Sequence, residues 1–191
     1  MYLSLIRSQF EHCSPVWRPN NITMINKLEG LQKQCIKWIL SEDFFRYGNY
    51  EVYLQKCRQV CILPLIKRLD YNDLVLLYKV IHNLIPLKLP FYLKFYEGSS
   101  RLRTCHLDHL SLVSSIQPKS NVISDTNKNS ALYKSFYYRV HLQWNLLPIE
   151  IRSIETLPYF KSQIIKYLWK SILTDIDNTD YLEENLYDTF Q

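Results

Sequence analysis

The stretch ITMINKLEGLQKQCIKWIL, residues 22 to 40, decides the fold class. At about 100° per residue, Ile22, Ile25, Leu28, Cys35, Ile36 and Ile39 gather on one side, and Asn26, Lys27, Gly30, Lys33, Gln34 and Lys37 gather on the other. That is the pattern of a helix laid on a core. Asn20 or Asn21 can cap its first turn, and Gly30 is its weakest point, since glycine inside a helix costs about 1 kcal/mol against alanine.

Working upstream, residues 2 to 13 put Leu3, Ile6 and Phe10 on one side of a first helix, and Pro15 and Pro19 around Trp17 are expected to break the chain. Downstream, Tyr50 to Arg58 suits a short helix. Pro64 fits a helical first turn, where its missing N–H costs nothing, and a long helix should run from it to about Leu84. That helix is expected to bury Leu65, Leu69, Leu76, Leu77 and Val80, with Asp73 on the same apolar side.

Pro86 and Pro90 interrupt the pattern, and Phe91 to Tyr96 are expected to add a helical turn or two. Residues 98 to 130, rich in Ser, Asn and Thr, read as a loop-rich excursion that has room for a small hairpin near the apolar run Leu110 to Val113. Helix resumes from Ala131 to Leu146 with Ser130 as cap, and from Leu157 to Leu173 with Thr156 as cap and Pro158 in the first turn. The expected architecture is mainly α, an irregular helical bundle. Residues 1–97 and 131–173 form two helical regions packed together, 98–130 the excursion, and 174–191 a flexible acidic tail.

Only three glycines occur among 191 residues, and 47% of the chain is hydrophobic, which excludes a disordered chain or one built on tight turns and glycine-rich phosphate loops. Five cysteines without regular spacing imply reduced thiols in cytoplasm or nucleus. No run approaches the ~18 uncharged apolar residues of a membrane span. The net charge of +5 conceals an asymmetry: six of the 18 acids lie in residues 174–191, which hold no Lys or Arg. The remaining 23 bases and 12 acids give residues 1–173 a charge of +11, a body that attracts polyanions and a tail able to compete with them.

The chemistry-bearing residue types form no catalytic pattern. Cys105, His106, Asp108 and His109 invite a zinc reading, but a tetrahedral site needs four ligands, and the only other close pair is Cys57 and Cys61. His12, His82 and His141 stand in helical patterns without a nucleophile motif, and no aromatic-x-Asp-Asp turn is present to hold magnesium. What remains is basic surface interleaved with aromatics, as nucleic-acid strands require. Lys27, Lys33 and Lys37 share a helix face with Trp38 at its edge, all three expected to point outward, and Lys166 and Lys170 lie one turn apart on the last helix. A solvated lysine face reads the same way. Phe136, Tyr137 and Trp144 read as core, and Arg139 is the expected partner of a buried Asp73.

Three blocks carry a resemblance. Leu5-Ile6-Arg7-Ser8, Glu11 to Trp17 and Leu28 to Lys33 form the first; Leu63-Pro64-Leu65, Arg68, Asp73-Leu74 and Leu77-Tyr78-Lys79 form the second. Arg139, Trp144-Asn145-Leu146-Leu147-Pro148, Ile151-Arg152, Leu157 and Phe160-Lys161 form the third. In order and spacing, this chain resembles the region beyond the polymerase active site in reverse transcriptases of jockey-type non-LTR retrotransposons. The resemblance covers Leu3 to about Leu173 and is poorest across residues 98–130.

The resemblance implies a thumb and post-thumb region that grips RNA template and DNA primer strand and packs on the fingers and palm. The magnesium-binding aspartates and the endonuclease of such an enzyme lie in other segments, so no catalytic residue or cofactor is implied for this chain. Trp144 and Pro148 are implied to be architectural, a packed ring and a helix stop. Met1 is expected to open a reading frame of its own, as a truncated element copy, an incomplete gene model or a retained fragment would. The competing expectations are a helical protein-interaction module and a truncated element product without function.

Overall fold

The structure, a computed structural model, describes residues 7–19, 21–41, 50–96, 109–114 and 135–187. Leu65–Ile81 forms the helix, α5, around which the others are arranged. Its buried residues, Leu65, Arg68, Leu69, Asp73, Leu74, Val75, Leu77, Tyr78 and Val80, run round the whole cylinder and not along one stripe. A helix buried on every side needs neighbours on every side. These are α1 (Arg7–Glu11), α2 (Ser14–Trp17), α3 (Ile22–Leu40), α6 (Phe136–Leu146) and α8 (Leu157–Tyr187), each packed on α5. The remaining helices are α4 (Tyr50–Gln59), against α3, and α7 (Ile149–Arg152), against α8. The fold is thus mainly α, as expected.

Leu76, assigned to the core by a one-sided reading, is only half-buried, while Leu74 and Tyr78 join Trp144, Phe160 and Ile164 in the core. On α8, Phe160, Ile164, Leu168 and Ile172 recur every fourth residue and form the buried stripe. Tyr78 stacks on Phe160 with ring centroids 4.1 Å apart, and Lys67 Nζ donates to Ser171 Oγ at 3.3 Å. α8 therefore runs antiparallel to α5.

Several boundaries differ from expectation. Pro15 does not break the chain: it stands in the first turn of α2, after Cys13 takes a left-handed conformation with φ 51°. Leu93–Phe95, read as helix, is strand β1, paired antiparallel with β2 (Leu112–Ser114) in the register Leu93↔Ser114 and Phe95↔Leu112. That pairing is non-local and leaves no trace in a helical periodicity count. Ser130 lies outside the described residues, and the cap of α6 is Ser135, whose Oγ accepts from Tyr138 N at 3.4 Å. α8 continues past Leu173 to Tyr187. No Pro or Gly interrupts residues 174–187, and a helix already nucleated propagates cheaply through them despite the acids.

The third sequence block organises the C-terminal half. Trp144, 1% exposed, donates from Nε1 to Leu110 O at 2.9 Å, and Asn145 both accepts from Leu112 N and donates to Leu112 O, each at 2.8 Å. Buried Arg152 donates to Leu147 O and to Ser111 Oγ, both at 2.9 Å. These side chains fasten residues 110–112 to α6 and α7. Pro148 stands between those two helices, beyond the end of the first.

α3 is turned on α5 in a way its apolar pattern does not suggest. Its buried residues include Glu29, Gln32, Cys35 and Ile36, whereas Ile39 is exposed. The reason lies in α5, whose N-cap is Pro64 and makes no side-chain cap. Glu29 supplies the missing acceptors: Leu65 N donates to Oε1 at 3.0 Å and Ile66 N to Oε2 at 3.2 Å. Tyr53 Oη also donates to Glu29 Oε1, and Gln32 Nε2 bonds Tyr53 Oη at 3.0 Å and Leu63 O at 2.9 Å. Arg68 Nη2 donates to Gln32 Oε1 at 2.6 Å and completes the network. A buried carboxylate is tolerable there because donors surround it.

Candidate nucleic-acid interface

With Glu29 turned inward, α3 exposes no acid among its described side chains. Lys27 is exposed, Trp38 is 70% exposed, and Lys37 is half-buried beside it. Lys33 departs from the expected outward stripe. Its ammonium lies 5.0 Å from the Tyr53 ring centroid and 5.7 Å from that of Tyr50, held by cation–π attraction on the α4 side. Lys33 and Lys37 are one turn apart, but the former is spent on holding α4 to α3.

α4 adds groups that sequence reasoning did not single out. Tyr50 is exposed, and Lys56 and Arg58 stand in the last turn. Two bases in a last turn complement a helix C-terminus in any case, so only the packing of α4 on α3 marks them as part of a basic aromatic surface. Lys166 and Lys170 are both exposed on α8. They stand on a different helix from Lys27, Lys33 and Lys37, and each of the two helices packs on α5.

Asp73 is fully buried. Arg139 Nε donates to its Oδ2 at 2.9 Å, and Arg18 Nη1 donates to the same atom at 2.8 Å while its Nη2 lies 2.6 Å from Asp70 Oδ1. The second arginine was not anticipated, because nothing local marks Arg18 among the surface bases. Asn72 Nδ2 donates to Ser14 Oγ at 2.9 Å, so this cluster ties α2 to both α5 and α6.

The candidates for chemistry have architectural surroundings. Burial pushes the Cys57 thiol up to about 12 and the Cys35 thiol upward as well, so neither is a ready thiolate. Burial also raises the Tyr53 hydroxyl, with the Glu29 carboxylate acting in the same direction. Cys61 lies beyond the end of α4 with φ 54° and is exposed, so it does not share a helix face with Cys57. His82 stacks on Tyr78 at 4.0 Å and His141 Nδ1 faces Tyr137 O at 3.1 Å; burial lowers both imidazoles. Cys105, His106 and Asp108 lie outside the described residues, and among those described no group of three or more His, Cys, Asp or Glu is placed to hold a metal ion. Among the described residues no helix is long and apolar enough to cross a membrane.

No family model, curated protein or solved structure matches this chain.

Proposed function

We propose that this chain is a catalytically silent thumb and post-thumb fragment of a non-LTR retrotransposon reverse transcriptase, and that it grips RNA template and DNA primer. The outer face of α3 and α4 is the contact surface. The observation that carries the reading is the composition of that face: Lys27, Arg58 and the Trp38 ring exposed, Lys37 half-buried, and the one acid of α3 inside. Cations bind phosphates and an exposed indole offers a plane to a base. Magnesium and the aspartates that hold it belong to the parent polymerase, not to this segment. A helical protein-interaction module is the second reading, favoured by the exposure of Met24, Leu31 and Ile39 on the same helix.

Fluorescence anisotropy on a labelled RNA–DNA primer-template, repeated over a series of salt concentrations, separates the two. Changing Lys27, Lys33 and Lys37 to glutamine should lower the salt slope by about 1.4 units and not about 2.1, since a single strand contributes roughly 0.7 per lysine and Lys33 is held by its rings. An unchanged slope would mean that the face touches no phosphate. Trp38→Ala should weaken binding by about 1–3 kcal/mol and leave the slope as it was.

A further inference from the structure

α5, α6 and α8 enclose a cavity of about 210 Å³. Lys67, Asp70 and Leu74 reach it from α5, because steps of three and four residues put them on one helix face, and Gln143 reaches it from α6. Leu168 and the Tyr167 ring wall it from α8, and Tyr167 Oη donates to Leu146 O at 3.2 Å, joining α8 to α6. Leu146 is 75% exposed, so the cavity opens to solvent on that side. A cavity of about 150 Å³ holds one benzene ring, and this one has room for a second.

Its polar groups suit a neutral molecule. Asp70 Oδ1 meets Arg18 Nη2 and Gln143 Nε2, each at 2.6 Å, whereas Asp70 Oδ2 has no hydrogen-bond partner among the described residues. Arg18 and Arg139 already balance the charges of Asp70 and Asp73, so the remaining carboxylate oxygen calls for an N–H donor and not for another cation. Gln143 Oε1 is a second acceptor without a partner, and it is buried. One helical turn from Asp70, the positive charge of Lys67 favours a carbonyl oxygen. A flat two-ring molecule with N–H donors beside a carbonyl meets these conditions together. Guanine has that edge: N1–H and the N2 amine for the carboxylate, O6 for Lys67. We propose that this cavity is a binding site for a guanine base. Adenine sets a bare ring nitrogen where guanine sets N1–H, and so turns a lone pair on the carboxylate. A single-ring pyrimidine leaves part of the space unfilled. A free nucleoside and an unpaired residue of a strand offer the same edge. The site uses no residue of the α3 and α4 face, so it stands or falls separately from the grip on primer-template.

Calorimetric titration of the full chain with guanosine is the test. Saturable binding is expected, about tenfold weaker for inosine, which lacks the N2 amine, and about a hundredfold weaker for adenosine. Asp70→Asn should weaken guanosine about tenfold and narrow its lead over adenosine, since the new amide supplies an N–H to the adenine ring nitrogen. Because Asp70 also holds Arg18, Lys67→Met is the second variant: it keeps the length of the side chain and should weaken guanosine about tenfold through the loss of the O6 partner. An oligothymidylate carrying one central guanine identifies the source. Tighter binding than guanosine assigns the site to a base in a strand, and equal or weaker binding assigns it to the free nucleoside. Absence of saturation at millimolar guanosine would overturn the proposal, as would equal affinity for adenosine or a guanosine affinity unaltered in Lys67→Met.

Discussion

Changing Glu29 to glutamine keeps the shape of the side chain while removing its charge and one of its two acceptor oxygens. Both oxygens are in use, one by Leu65 N and Tyr53 Oη and the other by Ile66 N. The amide nitrogen of glutamine must therefore face a donor whichever way it turns. Pro64 cannot take over, since it caps nothing. Losing a hydrogen bond to a charged acceptor costs about 1.5–3 kcal/mol, and losing the charge at a helix N-terminus about 0.3–1 kcal/mol more. Burying a neutral amide in place of a carboxylate returns part of this, leaving a net loss of about 2 kcal/mol. At roughly 2–4 °C per kcal/mol for a chain of this size, the thermal midpoint followed by circular dichroism should fall by about 4–8 °C. Hydrogen exchange should quicken first at the Leu65 and Ile66 amides. Glu51→Gln, at an exposed contact with Gln55 in the first turn of α4, should cost under about 1 kcal/mol. An unchanged midpoint for Glu29→Gln would refute the account of how α5 is started.

Other perturbations probe the remaining joints. Trp144→Ala should cost about 3–5 kcal/mol in a urea titration, and Trp144→Phe only about 1 kcal/mol for the lost bond to Leu110 O; equal losses would show that the indole N–H, and not the ring, holds the site. Asp73→Asn leaves Arg18 and Arg139 converging on a neutral oxygen and should destabilise by about 3–5 kcal/mol, so a stable variant would mean the cluster is dispensable. Because burial raises the Cys57 thiol to about 12 from an ordinary 9.0, the unfolded chain ionises first as pH climbs. Stability should hold below about pH 9 and decline between about 9 and 12, and Cys57→Ala should lessen that decline in a series of thermal midpoints.

Much of the helical framework is legible from periodicity. Ile22 to Leu40 is a helix with the predicted ends and with Asn21 as cap, its Oδ1 accepting from Thr23 N at 2.8 Å. The α5 helix starts directly after Pro64, and α8 at Leu157 after Thr156. Faces are less legible than helices. Glu29 and Gln32 point inward because of a helix start 36 residues away from Glu29, and α5 shows no single apolar stripe because it is enclosed. β1 exists only through its partner β2. Within the candidate interface, the exposed Lys27 and Trp38 follow from the helix alone, whereas the engagement of Lys33 depends on where Tyr50 and Tyr53 come to rest.

Helix endings in this chain bear on how far it can be improved. Cys13, Ser41, Cys61 and Asn83 all adopt left-handed backbone angles, with φ between 51° and 54°, next to a helix terminus. Such a conformation costs an ordinary L-residue on the order of 1 kcal/mol and a glycine almost nothing. One of the chain's three glycines, Gly30, sits instead inside α3, where an added methyl group would meet nothing within 4 Å. Among the described residues, glycine is thus absent from the left-handed positions and present where alanine would serve better. Moving it, as Gly30→Ala together with Ser41→Gly and Cys61→Gly, draws on untapped headroom that requires no new contact and leaves the lysines and Trp38 untouched. A laboratory that needs a hardier version of this protein would begin at its helix ends, not in its core.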